Sequence, residues 1–310
     1  MGRRHLMGLV RAGFDVTAMD PRDSSVELAQ RQLASEGAAG RFQRSAEIPR
    51  RHFDVAVFAE TSDHRWRNFD AFSRAASADR YLIEKPLSAD PAEVEAFAAL
   101  GAERGLAGRM SVNFTRRAWT ALAPLVERCQ SATPRFEMTM TSGAIGLGCN
   151  GIHFLDLFLL LSGGEMPAVR YARLDPELVP SGRGAFPDFG GTALLEGTRG
   201  TFFLSCAATS SAPRMLTVQG DHFRAWIDDH DGGWRMIERA PDSALPNYRY
   251  GADYRTLAEG RLATPSMEDI TRDWSLGKTK LASLPEALAA HNLLFAILRA
   301  GGARPPYRFT

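Results

Sequence analysis

Two short stretches carry residues whose types and spacing could do chemistry. The first is Tyr81-Leu82-Ile83-Glu84-Lys85-Pro86-Leu87-Ser88. An apolar run ends in an acid, a lysine and a proline. Asp90 then offers an N-cap, Pro91 suits the first helical position, and Glu93 follows three residues after the cap. The stretch reads strand, tight turn, helix. Lys85 falls at the carboxyl end of that strand, the edge where open α/β sheets bind their ligands. Pro86 lacks a backbone donor and biases Lys85 towards extended geometry. An ammonium fixed there can hold its charge over a bound substrate. The competing reading is a solvated lysine in a loop.

The second stretch is Cys149-Asn150-Gly151-Ile152-His153-Phe154-Leu155-Asp156, preceded by a glycine-rich loop, Gly143 to Gly148. Asn150 reads as an N-cap, which puts His153 in the first turn of a helix. Asp156 lies three residues on, on the same face. The positive helix end favours a neutral imidazole, which suits a general base near neutral pH. The competing reading is a histidine satisfied inside an apolar helix. Asp156 reads as a buried structural partner rather than a proton carrier.

Other elements must position these two groups. Up to Asn113 the chain alternates helices and strands. Helices are expected at Arg3–Ala12, Val26–Glu36 (capped by Ser24 and Ser25), His64–Ala76 and Pro91–Arg104. Strands are expected at Phe14–Asp20, Asp54–Ala59, Tyr81–Glu84 and Arg109–Asn113. Short links between them imply βαβ units and a parallel sheet. After Asn113 the texture changes. A connecting helix, Arg116–Gln130 with a kink at Pro124, leads to strands near Arg135, Ala168, Gly191, Thr201, Arg214, Phe223 and Trp234. Gly197-Thr198-Arg199-Gly200 reads as a hairpin turn. Consecutive strands of this kind imply a mostly antiparallel sheet. Helices at Asp253–Leu262 and Pro285–Arg299 are expected to close the chain. The division is residues 1–114 and 115–310.

Composition excludes several classes. A length of 310 residues fits two domains, and 45% hydrophobic residues supply a core for each. A formal net charge of +1 gives no case for nucleic acid or an anionic membrane surface. Cys129, Cys149 and Cys206 have neither metal spacing nor a disulfide pattern. No metal site is expected, and a reducing cytoplasm is the expected compartment. The longest apolar stretch, Ile152 to Leu161, is too short to span a bilayer.

The beginning is incomplete as a nucleotide-binding unit. Such a unit opens with a strand and a Gly-x-Gly-x-x-Gly turn. Here a helix starts after a single glycine, Gly2, and Asp20 stands near the spacing of a ribose-binding acid. The expectation is that the first strand and two glycines are absent because the gene start was placed too late.

Taken together, these residues resemble the glucose–fructose oxidoreductase and inositol dehydrogenase family (Gfo/Idh/MocA). Glu84-Lys85-Pro86 follows a Rossmann-like half, and a Gly-x-His-x-x-Asp stretch opens a helix at the head of the second half. Gly2-Arg3-Arg4-His5 matches the end of the nucleotide turn. Asp20 matches the ribose acid, and Ala59-Glu60-Thr61-Ser62 matches a loop near the cofactor. Asn113 matches a polar position after the sixth strand. The resemblance implies α/β plus α+β architecture: a Rossmann-like parallel sheet with its first strand missing, then a mostly antiparallel open sheet. It implies an NAD(P)-dependent oxidoreductase acting on a hydroxyl carbon of a sugar, nucleotide sugar or polyol. Lys85 would hold the reacting oxygen and His153 would take the proton. Gly2, Asp20, Arg22, Thr61, Ser62, Glu84 and Lys85 would serve the cofactor. Asn113, Cys149, Asn150 and His153 would serve the substrate. Asp20 favours NAD, and Arg22 leaves NADP open.

Two departures stand out: the absent start, and Cys149 where many members carry an aspartate. Both keep open a non-catalytic remnant that binds a sugar or protein partner. A third reading is a hydrolase or lyase that uses NAD transiently. A homodimer or homotetramer through the open sheet is expected, since Phe202, Phe203, Leu204 and Trp226 alternate imperfectly. Substrate choice is expected in the loops Glu177–Asp188 and Ser210–Arg214.

Overall fold

The computed structural model describes residues 1–132, 135–180, 186–228, 230–240 and 242–310. The loop expected over Glu177–Asp188 falls partly outside these residues. The chain divides into two units, residues 1–118 with 264–285 and residues 119–263 with 286–310.

In the first unit, helices and strands alternate as the sequence implies. They are α1 (Gly2–Arg11), β1 (Val16–Ala18), α2 (Asp23–Ser35), β2 (Phe42–Arg44), β3 (His52–Phe58), α3 (Ser62–Ala75), β4 (Ser77–Ile83), α4 (Pro91–Glu103) and β5 (Met110–Val112). All pair in parallel, but in two pieces. β1 pairs with β2, and β4 lies between β3 and β5. A Rossmann order sets its first strand between the counterparts of β1 and β3. Among the described residues no strand lies there.

Local chemistry sets the helix starts. The Asp90 carboxylate accepts from the Ala92 amide at 2.9 Å, and Pro91 opens α4 as expected. α2 begins earlier than expected, at Asp23, so Ser24 and Ser25 lie inside it and do not cap it. The reason is an Asx turn: the Asp20 carboxylate accepts from the Arg22 amide at 2.9 Å and starts the helix there.

Residues 264–285 return to this unit as α7 (Met267–Ser275) and β14 (Ala282–Ser283), the latter antiparallel to β5. Ile270, Trp274 and Leu281 pack around Leu82. Arg80 of β4 donates to the Trp274 and Ser275 carbonyls at the end of α7. α1 packs on α7 through Gly8, where a Cβ would lie 2.5 Å from the Glu268 carbonyl oxygen. Only glycine allows that approach.

The second unit holds α5 (Ala123–Glu127), β6 (Phe136–Ser142), α6 (Ile152–Leu161), β7 (Ala168–Val179), β8 (Asp188–Glu196), β9 (Gly200–Cys206), β10 (Met215–Gly220), β11 (Phe223–Asp228), β12 (Gly233–Arg239) and β13 (Tyr254–Arg261). α8 (Leu284–Ala300) closes the chain. The strands form one sheet in the order β13-β12-β11-β10-β6-β9-β8-β7, antiparallel throughout except β6 with β9. Alternation of period two separates its faces. Met138, Met140, Ala193, Leu195, Phe202, Leu204, Leu216 and Val218 are buried on one face. α6 contributes Phe158 to that core, stacked on Phe202 at 5.4 Å. α6 is apolar on every side, which suits a helix enclosed all round. The opposite face carries a cross-strand row: Tyr171, Leu194, Phe203, Thr139, Thr217, Trp226 and Arg235.

Two expectations fail here. The connecting helix Arg116–Gln130 is broken into 3₁₀ turns, the five-residue α5 and a π turn. Pro124 lies in the first turn of α5 and does not kink a longer helix, because its ring cannot follow a preceding helical turn. The helix expected at Asp253–Leu262 is the strand β13. Asp253 has φ +61°, a left-handed conformation that turns the chain back, and the residues after it pair with β12.

Candidate functional site

Lys85 lies two residues past the end of β4 and is half-buried. Its setting is built from three sides of the first unit. The start of α1 lies against the end of β3, with the position of a Gly2 Cβ 3.9 Å from the Ala59 Cβ. Arg65 of α3 is fully buried and donates to the carbonyls of both Glu60 and Pro86. One guanidinium therefore ties the loop after β3 to the turn that carries Lys85. Thr61 and Ser62 open α3 in that loop, as N-cap and first helical residue.

Glu84 is 4% exposed. Burial alone would push its carboxyl up. The His5 hydrogen bond and charge, the Lys85 charge and the Asn113 hydrogen bond outweigh burial and bring it down to about 2. His5 Nε2 lies 2.8 Å from Glu84 Oε1, and Asn113 Nδ2 donates to the same oxygen at 2.7 Å. Asn113, read from the sequence as substrate-facing, is fully buried and engaged with Glu84. Glu60, in the loop after β3, accepts from Asn68, and burial pushes its carboxyl up.

The start of α1 offers free backbone donors at this edge. The amides of Gly2 and Arg3 precede the first hydrogen bonds of α1, which run from Arg4 and His5 to the Met1 carbonyl. A Cβ at Gly2 would meet nothing nearer than Ala59, so the approach is open. Asp20 follows β1, where a ribose acid belongs. Its Oδ1 also lies 3.4 Å from Arg22 Nε.

In the second unit, His153 is 4% exposed and is the second residue of α6, in the first turn as expected. Asp156 is fully buried on the same helix. The expected cap is corrected. Gly151 takes the N-cap position after a π turn over Leu147–Gly151, and Asn150 Nδ2 instead donates to the Ile145 carbonyl at 2.6 Å. A carboxylate holds this turn. Asp188, at the start of β8, accepts from the amides of Gly148 at 2.8 Å, Cys149 at 2.6 Å and Phe189 at 2.7 Å. Gly146, at φ +78°, is required beneath it: a Cβ would lie 2.1 Å from Asp188 Oδ2. The glycine-rich loop is thus a seat for Asp188.

Asp188→Ala would leave buried amides without an acceptor. It should destabilise the protein by about 3 kcal/mol, read from denaturant melts. A loss within 0.5 kcal/mol, the ordinary range of surface substitutions, would show that the carboxylate does not hold the turn.

Sequence reading missed the roles of Asp188 and Arg65 and gave His5 none. A lone acid opening an apolar strand was the available signal for Asp188. A stronger signal lies in the basic residues: the chain has 34 arginines and only three lysines, Lys85, Lys278 and Lys280. Cys129 and Cys206 are poor nucleophiles, since burial pushes the first to about 12 and the second higher still. Among the described residues, no group of three or more His, Cys, Asp or Glu could hold a metal ion. Nor is any described helix long and apolar enough to cross a membrane.

No family model matches the chain, and no curated protein matches it. Solved structures do share the fold. UDP-N-acetylglucosamine 3-dehydrogenase GnnA from Acidithiobacillus ferrooxidans is 15% identical, with a TM-score of 0.67 over 96% of this chain and 92% of that one. An oxidoreductase domain protein from Kribbella flavida is 16% identical, with a TM-score of 0.68 over 98% and 95%. A super-repressor mutant of Gal80p from Saccharomyces cerevisiae is 10% identical, with a TM-score of 0.68 over 96% and 91%.

Proposed function

Since this chain carries the fold of the Gfo/Idh/MocA-type oxidoreductases, we propose that it is an NAD(P)-dependent dehydrogenase of a sugar, nucleotide sugar or polyol. The observation that carries this reading is Lys85, held at the carboxyl edge of a parallel sheet beside an ionised, buried Glu84. A bound nicotinamide would exchange a hydride with the carbinol carbon. Lys85 would hold the hydroxyl oxygen and stabilise the negative charge that develops there. His153 would take the hydroxyl proton, or return it in the reductive direction. Asp188 would keep the turn before His153 in place. Its oxygens accept from three amides, so it does not replace the polyol-orienting carboxylate whose position Cys149 holds. Gly2 and Arg3 would meet the pyrophosphate, and Asp20 the ribose.

Calorimetric titration of the 310-residue chain tests the cofactor. NAD should bind with NADP weaker, and Asp20→Ala should narrow that preference by removing the charge that repels a 2′-phosphate. UDP-N-acetylglucosamine, the substrate in the name of one structural neighbour, is the first probe for turnover, followed by other nucleotide sugars and free polyols.

A second reading has its own support. The parallel sheet is divided where a nucleotide-binding sheet is continuous, and Gal80p regulators share the fold. On that reading the chain binds a sugar or protein partner without nucleotide. No heat with either nucleotide would select it.

We also infer a homodimer or homotetramer through the open sheet. Tyr171 and Phe203 are large, exposed and set in one cross-strand row with Leu194 and Trp226. An apolar row of this kind matches a second copy of itself about a two-fold axis. Sedimentation should give at least a dimer, and Phe203→Glu should shift it to monomer. A wild-type monomer at micromolar concentration would remove the assembly.

A further inference from the structure

Beside Lys85 lies a buried polar chain that the proposed chemistry does not use. It runs from α7 through α1 to the turn after β4. The Thr271 hydroxyl lies 2.8 Å from both the Met267 carbonyl and His5 Nδ1. His5 Nε2 lies 2.8 Å from Glu84 Oε1. An ionised carboxylate only accepts, so Nε2 carries the proton of that bond. His5, Glu84 and Thr271 are all enclosed, at 1%, 4% and 0% exposure. Glu84 is the residue immediately before Lys85. His5 is three residues after Gly2, on the first turn of the helix whose start faces the proposed nucleotide.

We propose that His5 is a positioning residue for Lys85, acting through Glu84. The charged groups that face the Glu84 carboxylate are His5 and Lys85, with Asn113 as a neutral donor. Remove the imidazole and the carboxylate keeps only the Asn113 donor and the Lys85 charge against its burial. It then pulls differently on the next residue's ammonium. Through this chain of bonds the placement of α1 sets the placement of the amine. The inference rests on the reading of Lys85 given above, but its test reads the resting protein. A chain that turned over no sugar would sink that reading and leave this test decisive.

The experiment is NMR on full-length protein carrying ¹³C at lysine Cε and glutamate Cδ. With three lysines, the Lys85 signal is assigned by Lys85→Arg, and the Glu84 signal by Glu84→Gln. In the wild type the Glu84 signal should stay flat from pH 8 to pH 4. In His5→Leu a titration step should enter that window, because burial raises the carboxyl once its main donor is gone. The Lys85 signal should move while Lys278 and Lys280 hold still. His5→Gln, whose side-chain amide can donate in place of Nε2, should restore both signals. A flat Glu84 signal or an unmoved Lys85 signal in His5→Leu overturns the proposal. Should His5→Leu fail to fold, Thr271→Val decides the matter. Loss of the hydroxyl frees the ring, so both signals should shift in the same direction by less, and no shift in either overturns the proposal.

Discussion

Replacing Lys85 with alanine is expected to lower kcat about a thousandfold or more while NAD affinity stays nearly unchanged. One preorganised donor at a developing oxyanion is worth about 10²–10³ in rate, and an ammonium brings a full charge to the same place. Its neighbourhood is fixed: Arg65 holds the Pro86 carbonyl, and His5 and Asn113 hold Glu84. The sharper variant is Lys85→Arg. In this chain lysine is the rare cation, three residues against 34 arginines. Lysine at this turn implies a need for a compact point charge with rotatable donors, which a planar fork cannot supply. Lys85→Arg should therefore stay within about tenfold of the alanine variant. Steady-state reduction with whichever sugar supports turnover reads both, beside calorimetry for the nucleotide. Near-normal kcat in Lys85→Ala would take the residue out of the mechanism.

Much of this setting was legible from local patterns. Asp90-Pro91 and the apolar run before Lys85 dictate strand, turn and helix without outside help, and α4 starts where they say. α6 spans Ile152–Leu161 as expected, because ten residues with only two polar side chains have one way to be buried. The parallel pairing followed from strand–helix alternation. What stayed hidden is what depends on distant residues. Asp188 lies about 40 positions from the turn it holds, and no spacing rule links a strand-opening acid to a glycine loop. Arg65 looks like an ordinary helix arginine until its two backbone carbonyls are seen. β13 was misread because its polar residues give no clear period, and pairing with β12 decided it. Thr271 could not be joined to His5 from sequence, as 266 residues separate them.

His153→Ala is expected to cost roughly 10²–10⁴ in kcat, the usual worth of a positioned acid–base group. The competing role, a histidine that merely packs α6, predicts something else. At 4% exposure on an apolar helix, truncation would then lower thermal stability and leave the pH profile alone. The profile therefore separates the two. A base must be neutral to accept a proton, so wild-type kcat/KM for oxidation should rise with pH across the range where imidazoles titrate, roughly pH 5–8. In His153→Ala that rising limb should vanish and the residual rate should follow hydroxide or buffer. His153→Gln adds a control, since it keeps volume and hydrogen bonding but cannot carry the proton. It should be nearly as slow as the alanine variant while melting close to wild type. A fast His153→Gln enzyme with an intact rising limb would assign the proton to another group and return His153 to packing.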